Sequence, residues 1–255
     1  MVTADGVEIS SSTMGSGTRG FVLVHGWCCD RSAMAPLARR LGRRGRTVNV
    51  DLRGHGASAP PTHRFDVEGF VADVQAAAKG AALEQPVLVG HSMGGRVVLA
   101  AAQREPALAS ALVLLDAAIV EDPGYVAARR RELDQDGWSD SFKARIDRLW
   151  LDSDSSVRRR RITHVMLRTP RNVAIGSLDA ADAIDAPAAL EGFAGPVLYI
   201  AASTAREQMA TLRALKPDLM YAQVAGSGHF VQLDALSQVA AMIERFCELA
   251  DLGTI

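Results

Sequence analysis

The chain has few cysteines and little net charge, and each shortage argues against a class of protein. Its 255 residues include three cysteines, Cys28, Cys29 and Cys247. An odd number with an adjacent pair is a poor disulfide framework, so we expect reduced thiols. No Cys/His spacing is typical of zinc binding, and we predict no metal. A formal net charge of −1 gives no reason to expect nucleic acid or an anionic membrane surface as a partner.

Long apolar segments are also missing. No uninterrupted run approaches the roughly 18 residues of a membrane-spanning helix. Residues 1–10 have neither a basic start nor an apolar stretch, so no secretory signal is expected. These features predict a cytoplasmic protein, a monomer or homodimer, whose partner is a small-molecule substrate. Apolar residues still make up 48% of the chain, which suffices for the core of a single α/β domain.

Short apolar runs alternate with helical patterns along the chain. Short, continuously apolar runs are typical of strands buried on both faces. Between them, apolar residues recur three and four positions apart, as at Met34, Leu37 and Leu41. This alternation predicts a mostly parallel sheet covered by helices on both sides. The predicted strands are Phe21–Val24, Thr47–Val50, Val87–Val89, Ala111–Leu115, Val197–Ile200 and Met220–Val224.

The segment from Ala117 to about Ala180 breaks this alternation. It contains no convincing buried strand, and it includes Trp138 and Trp150. We interpret it as a helical insertion between two core strands. Its arginine runs, Arg129–Arg131 and Arg158–Arg161, are interpreted as solvated helix faces, with a role in binding a substrate anion as the alternative.

The strongest chemical signal is Gly90-His91-Ser92-Met93-Gly94, directly after a predicted strand. A G-x-S-x-G pattern between a strand and a helix is typical of a sharp turn that exposes a nucleophilic serine, here Ser92. Small residues on either side let the strand and the helix pack closely. The helix that follows directs its positive end toward the serine, which suits a developing oxyanion.

Two further turns support this interpretation. In His25-Gly26-Trp27, which follows a predicted strand, the backbone N–H of Trp27 can pair with that of Met93 as an oxyanion hole. The stretch from Asp51 to Ser58 follows another strand and is interpreted as a supporting turn. His55 within it is therefore expected to be structural rather than catalytic.

Together, His25-Gly26-Trp27, Asp51-Leu52-Arg53-Gly54-His55-Gly56 and Gly90-His91-Ser92-Met93-Gly94-Gly95 resemble the α/β-hydrolase superfamily. The resemblance covers nearly the whole chain and is weakest in the insertion. It implies an eight-stranded, mostly parallel sheet, a helical cap between the sixth and seventh strands, and a triad in the order Ser, Asp or Glu, His. We therefore assign residues 1–116 and 181–255 to the core and 117–180 to the cap.

A histidine in a glycine-rich loop is the candidate general base. Gly226-Ser227-Gly228-His229-Phe230 follows the last predicted strand, where the family places its base. His229 would take the proton of Ser92 and later return it to the leaving group. His63, His91 and His164 are weaker candidates.

The position of the third triad member, the acid, departs from the common pattern of the family. Relatives often carry it after the seventh strand, but Ala201 to Arg206 contains no acidic residue. The family's other position is the end of the sixth strand, where Asp116 stands. A carboxylate there can accept a hydrogen bond from Nδ1 of His229. Asp116 is the preferred acid, and Glu207 is the alternative.

A serine at the elbow argues against haloalkane dehalogenases and epoxide hydrolases of this fold, which use a carboxylate nucleophile. We expect hydrolysis of an ester, thioester or lactone through an acyl-enzyme, without a cofactor. The alternatives are a cofactor-free dioxygenase of heteroaromatic rings, a perhydrolase, a C–C bond hydrolase and a non-catalytic binding module. The substrate is expected under the cap, against Trp27, Met93 and Trp150.

Overall fold

The computed structural model describes residues 1–134, 138–205 and 209–252. Within these ranges seven strands form a single sheet in the order β1-β3-β2-β4-β5-β6-β7. Only the β1–β3 pair is antiparallel among them, and every other neighbouring pair is parallel. The strands are β1 Ser11–Met14, β2 Gly20–Val24, β3 Arg46–Val50, β4 Val87–His91, β5 Ala111–Leu115, β6 Val197–Ala201 and β7 Met220–Gln223.

The predicted α/β-hydrolase fold is confirmed, but the expected eight-stranded sheet is wrong for the described residues, where seven strands occur. The N-terminal segment folds back on itself through an isolated antiparallel bridge between Val2 and Glu8. A tight turn causes this, in which the N–H of Gly6, at φ +83°, donates to the carbonyl of Thr3 at 3.0 Å.

Helices cover both faces of the sheet. On one face, α2, α3 and α8 pack through residues such as Phe70, Val97 and Leu190. On the other, α1 and α11 pack through Leu37 and Ile243. The α-helices are α1 Ala35–Leu41, α2 Val67–Gly80, α3 Met93–Arg104, α4 Pro123–Asp134, α5 Trp138–Asp147, α6 Ser156–Leu167, α7 Arg171–Asp182, α8 Ala186–Gly192, α9 Met209–Leu215, α10 Val231–Asp234 and α11 Leu236–Leu249.

Helices α4 to α7 form the insertion between β5 and β6. Its apolar side chains, including Phe142 and Met166, share a cluster with Cys28 and Cys29 after β2 and with Phe230 after β7. The insertion therefore packs against loops at the carboxyl ends of the strands. The predicted boundary at residue 180 falls inside α7, which ends at Asp182.

No helix in the described ranges is both long enough and apolar enough to cross a membrane.

Candidate active site

Ser92 lies at the turn between β4 and α3, with φ 53° and ψ −120°. A side chain other than glycine in this region is strained by about 1–3 kcal/mol, so the surroundings must hold it there. The N–H of Ser92 donates to Leu115 O at 2.9 Å, and the carbonyl of Ser92 accepts from Gly95 N at 2.9 Å. A Cβ on Gly94 would lie 2.5 Å from Val24 O, so this position requires glycine. The strained serine thus stands at the edge of the sheet with its side chain in the cavity described below.

The loop after β2 runs directly beside this serine. A Cβ built on Gly26 would lie 3.2 Å from Cβ of Ser92. Neither Trp27 N nor Met93 N, the two predicted oxyanion donors, has an acceptor among the described residues. His25 holds the loop, because its Nδ1 lies 2.8 Å from Gly26 O while its Nε2 accepts from Leu52 N at 3.1 Å. The structure therefore leaves two free N–H groups close to the candidate nucleophile.

Asp116 and His229 meet at hydrogen-bond distance. Asp116 follows β5 directly, and its Oδ2 lies 2.7 Å from Nδ1 of His229. Because a carboxylate only accepts, Nδ1 carries the proton and Nε2 is left with a free lone pair. The other oxygen, Oδ1, accepts from Ala202 N at 3.0 Å. Burial raises the pKa of Asp116, but the hydrogen bond and charge of His229, together with the Ala202 N–H, outweigh it and leave the pKa below its usual value.

The loop after β6, where an acid is common in the family, instead forms hydrogen bonds to the loop that carries His229, residues 226–230, called the histidine loop below. Both the backbone N–H and the hydroxyl of Ser203 donate to Ser227 O, at 3.1 and 2.6 Å. The alternative acid, Glu207, lies outside the described residues.

The insertion also holds the histidine loop. The N–H of His229 donates to Leu149 O at 3.0 Å. Asp154, which is buried, accepts from Leu151 N at 2.7 Å and from Gly228 N at 3.3 Å. Residues 149–154, between α5 and α6, therefore form a clamp on the backbone of His229, which sequence reasoning missed because the contacts involve backbone atoms.

Of the three weaker candidates for the base, His63, His91 and His164, only His91 reaches the site. Its Nε2 donates to the carbonyl of His229 at 2.9 Å, and the two ring centroids are 4.7 Å apart. Burial, and then the proximity of His229, lower the pKa of His91 to about 3, so its ring stays neutral. His63 and His164 are exposed, away from the cavity.

A cavity of about 310 Å³ contains the candidate residues. Ser92, Asp116, His229, Trp27 and Met93 all line it. Trp150, also expected there, is not part of the lining. Its ring stacks on Phe230 with the centroids 4.5 Å apart, so it supports the wall from behind.

The far wall of the cavity is a charged network, and of its residues the sequence raised only Arg129, in a run for which binding of a substrate anion was the alternative role. Glu121 accepts from Arg96 at 2.5 Å and from Arg129 at 2.9 Å, and Arg129 donates to both oxygens of Asp182 at 2.7 Å. Arg145 and Arg148 also line the cavity, and both pair with Glu132. Local sequence gave no signal for this network, because its residues come from segments far apart in the chain.

His55 is buried and does not line the cavity. Its Nδ1 lies 2.9 Å from Arg53 O, and its ring is 5.2 Å from that of His25. It supports the loop after β2 from behind, as a structural residue would. Within the described ranges, no group of three or more His, Cys, Asp or Glu side chains is arranged to hold a metal ion.

Comparisons with known proteins agree with this architecture. The chain is 30% identical to the pimeloyl-(acyl-carrier protein) methyl ester esterase of Xanthomonas campestris over 241 residues, 88% of this chain and 93% of that protein. It is 33% identical to the AB hydrolase superfamily protein YisY of Bacillus subtilis over 147 residues, and it spans about half of that relative, 54% of its length.

Among solved structures, an esterase from Thermogutta terrifontis superposes with a TM-score of 0.83. The match covers 96% of this chain and 94% of that chain, at 24% identity. The model of the alpha/beta hydrolase family matches residues 21–242. This match covers most of the chain, and the chain therefore belongs to the alpha/beta hydrolase family.

Proposed function

We propose that this protein hydrolyses a carboxylic ester, thioester or lactone of a small substrate through Ser92, His229 and Asp116. The observation that carries the proposal is the 2.7 Å contact between Nδ1 of His229 and Asp116 in the cavity that Ser92 also lines. Similarity to a methyl ester esterase over most of both chains supports ester chemistry. The helical insertion, residues 117–180, is proposed to act as the cap over this site.

In the acylation half-reaction, Nε2 of His229 takes the proton of Ser92 as Oγ attacks the substrate carbonyl. The hydrogen bond to Asp116 keeps Nδ1 protonated and stabilises the imidazolium that forms. Negative charge develops on the carbonyl oxygen, and the free N–H groups of Trp27 and Met93 are the proposed donors to it. His229 then protonates the departing alcohol, which leaves an acyl group on Ser92.

In the deacylation half-reaction, His229 takes a proton from water as the water attacks the acyl carbonyl. The same N–H groups stabilise the second oxyanion. Collapse releases the acid and returns the proton from His229 to Ser92. The clamp at residues 149–154 holds the backbone of His229 in place through both transfers.

The test compares Ser92→Ala with the exposed Ser237→Ala on α11 as a matched control. We expect wild type and Ser237→Ala to hydrolyse p-nitrophenyl acetate and to be labelled once by a fluorophosphonate, at Ser92. Ser92→Ala should lose labelling and at least about 10³ in turnover, because the members of a triad act as a unit.

Equal labelling of Ser92→Ala would contradict the proposal. So would turnover that requires oxygen and persists in Ser92→Ala, which is the signature of the dioxygenase alternative. Oxygen uptake with a 3-hydroxy-4-quinolone tests that alternative directly.

A further inference from the structure

One end of the cavity has more positive than negative side chains. Arg96, Arg129, Arg145 and Arg148 line it. Among the side chains that the structure describes there, the carboxylates paired with these four arginines are Glu121, Asp182 and Glu132. Four guanidinium groups against these three carboxylates leave a local surplus of one positive charge, and Arg148, whose side chain is 58% exposed, is the most solvated of the four. Asp116 also lines the cavity, but its carboxylate accepts from His229 and Ala202, and among the described residues it pairs with no arginine.

The same arginines have unused hydrogen-bond donors. The Nε atoms of Arg96, Arg129 and Arg145 are buried and have no partner among the described residues. The side chains of Arg96 and Arg129 are each only 10% exposed. A buried donor without an acceptor costs about 1–3 kcal/mol, and more if it is charged. These unpaired donors leave the positive charge of the three guanidinium groups incompletely neutralised beside the cavity, which favours an anion there.

We propose that the four arginines, called the arginine wall below (Arg96, Arg129, Arg145 and Arg148), bind a carboxylate of the substrate. The substrate is then an ester that carries a free carboxylate on its acyl part. The inference rests on the proposed ester hydrolysis and names its substrate class. Ser92 and Arg96 line the same cavity, so a short acyl chain attached to Ser92 lies in the space that the wall also faces.

A carboxylate fits the wall better than a phosphate does. Its single negative charge matches the surplus of one at this end, whereas a phosphate dianion would exceed it. Guanidinium groups donate in a planar fork that suits the two oxygens of a carboxylate. Apolar side chains that also line the cavity, such as Ile146, Met166 and Leu178, suit the methylene chain between the two functional groups.

The experiment compares charged and neutral esters of matched length. Mono-p-nitrophenyl esters of the dicarboxylic acids from succinate to suberate are paired with p-nitrophenyl esters that end in methyl instead of carboxylate. The readout is the ratio of kcat/KM for the charged ester to that for its neutral partner. We expect a ratio of at least about 10 at the best chain length, since one net charge-assisted hydrogen bond amounts to about a tenfold change.

Two substitutions locate the effect. Arg145→Gln removes one cation from the wall and should lower the ratio about tenfold. Arg160→Gln removes the same charge from an exposed position on α6 and should leave the ratio unchanged. A ratio near one in the wild type overturns the proposal. A high ratio that Arg145→Gln leaves intact overturns the assignment to this wall.

A binding measurement separates this inference from the ester hydrolysis itself. Calorimetry of glutarate with Ser92→Ala requires no turnover and should detect binding that Ser92→Ala/Arg145→Gln weakens at least about tenfold. Equal binding by both proteins overturns the carboxylate site even if neutral esters are hydrolysed. Glutarate binding without any ester turnover would keep the site and refute the proposed reaction. The binding arm also decides the case if Arg145→Gln fails to fold, because absence of glutarate binding to Ser92→Ala alone overturns the proposal.

Discussion

This protein buries histidines whose rings are neutral, and mild acid should therefore destabilise it. Burial lowers the pKa of His55 and of His91 to about 3, and it lowers the pKa of His25 in the same direction. The hydrogen bonds explain why a second proton is disfavoured. Nε2 of His25 already accepts from Leu52 N, and both Nε2 of His55 and Nδ1 of His91 are buried without a partner. Protonation would break the first contact or create an unpaired buried N–H⁺.

The sign follows from proton binding in the two states. An unfolded histidine has a pKa near 6.5, so between that value and about 3 the unfolded chain binds more protons than the folded chain. Stability is therefore full above pH of about 6.5 and falls as pH decreases. From about pH 7.5 to about pH 5.5, His55 and His91 should each cost about 1.4 kcal/mol, or about 3 kcal/mol together. Asp73, whose pKa burial raises to about 6, titrates in the opposite sense and offsets roughly 1 kcal/mol.

Urea denaturation followed by circular dichroism at both pH values measures this loss. The matched variants are His55→Gln, buried and away from the cavity, and His63→Gln, exposed after β3. The difference in unfolding free energy between the two pH values should shrink by about 1.4 kcal/mol in His55→Gln and stay unchanged in His63→Gln. An equal pH dependence in wild type and His55→Gln would refute the assignment of a neutral buried imidazole.

The remaining predictions concern the acid and the clamp. Asp116→Asn should keep the fold but lower kcat for p-nitrophenyl acetate by up to about 10⁴, because an amide no longer fixes the Nδ1–H tautomer of His229. A loss of kcat under about tenfold would contradict the proposed role of Asp116. Asp154→Ala removes the acceptor of Leu151 N and Gly228 N, so urea denaturation should show a loss of about 1–3 kcal/mol, chiefly from the buried N–H of Gly228 left unpaired. In the same variant kcat should fall more than KM rises, and unchanged kinetics would show that the clamp does not position His229.

The elbow and the histidine loop could be predicted because local sequence determines them. Gly90 and Gly94, two positions to either side of Ser92, leave no room for a Cβ, so the glycines themselves mark the turn. His229 likewise follows a strand in a glycine-rich loop. The placement of Asp116 was predictable from parallel topology, since β4 and β5 are neighbours and their carboxyl ends share one edge. The β1 strand was missed because its sequence, SSTM, has no apolar run, and its place at the edge of the sheet does not require one.

The cavity wall could not be predicted because it forms between segments far apart in the chain. Arg129 was interpreted as part of a solvated face, yet it is buried between Glu121 and Asp182. Its neighbour Arg130 pairs with Asp179 with its side chain 39% exposed, in keeping with the solvated face predicted for this run. Helical spacing predicts which side of α4 each arginine occupies. It does not predict whether that side is buried, because the partners of Arg129 come from other segments, Asp182 from α7 and Glu121 from the loop after β5.

One short segment of the insertion serves both the wall and the base. Arg145 and Ile146, at the end of α5, line the cavity, while Leu149 and Asp154 bind the backbone of the histidine loop. Any displacement of this segment that widens the cavity therefore strains the hydrogen bonds to Gly228 and His229. Since Nε2 of a base must stay within about 3 Å of the proton it takes, we expect the proposed proton transfer to require these hydrogen bonds to be intact. We therefore expect binding at the proposed arginine wall to influence the position of His229 through the backbone from residue 145 to residue 154.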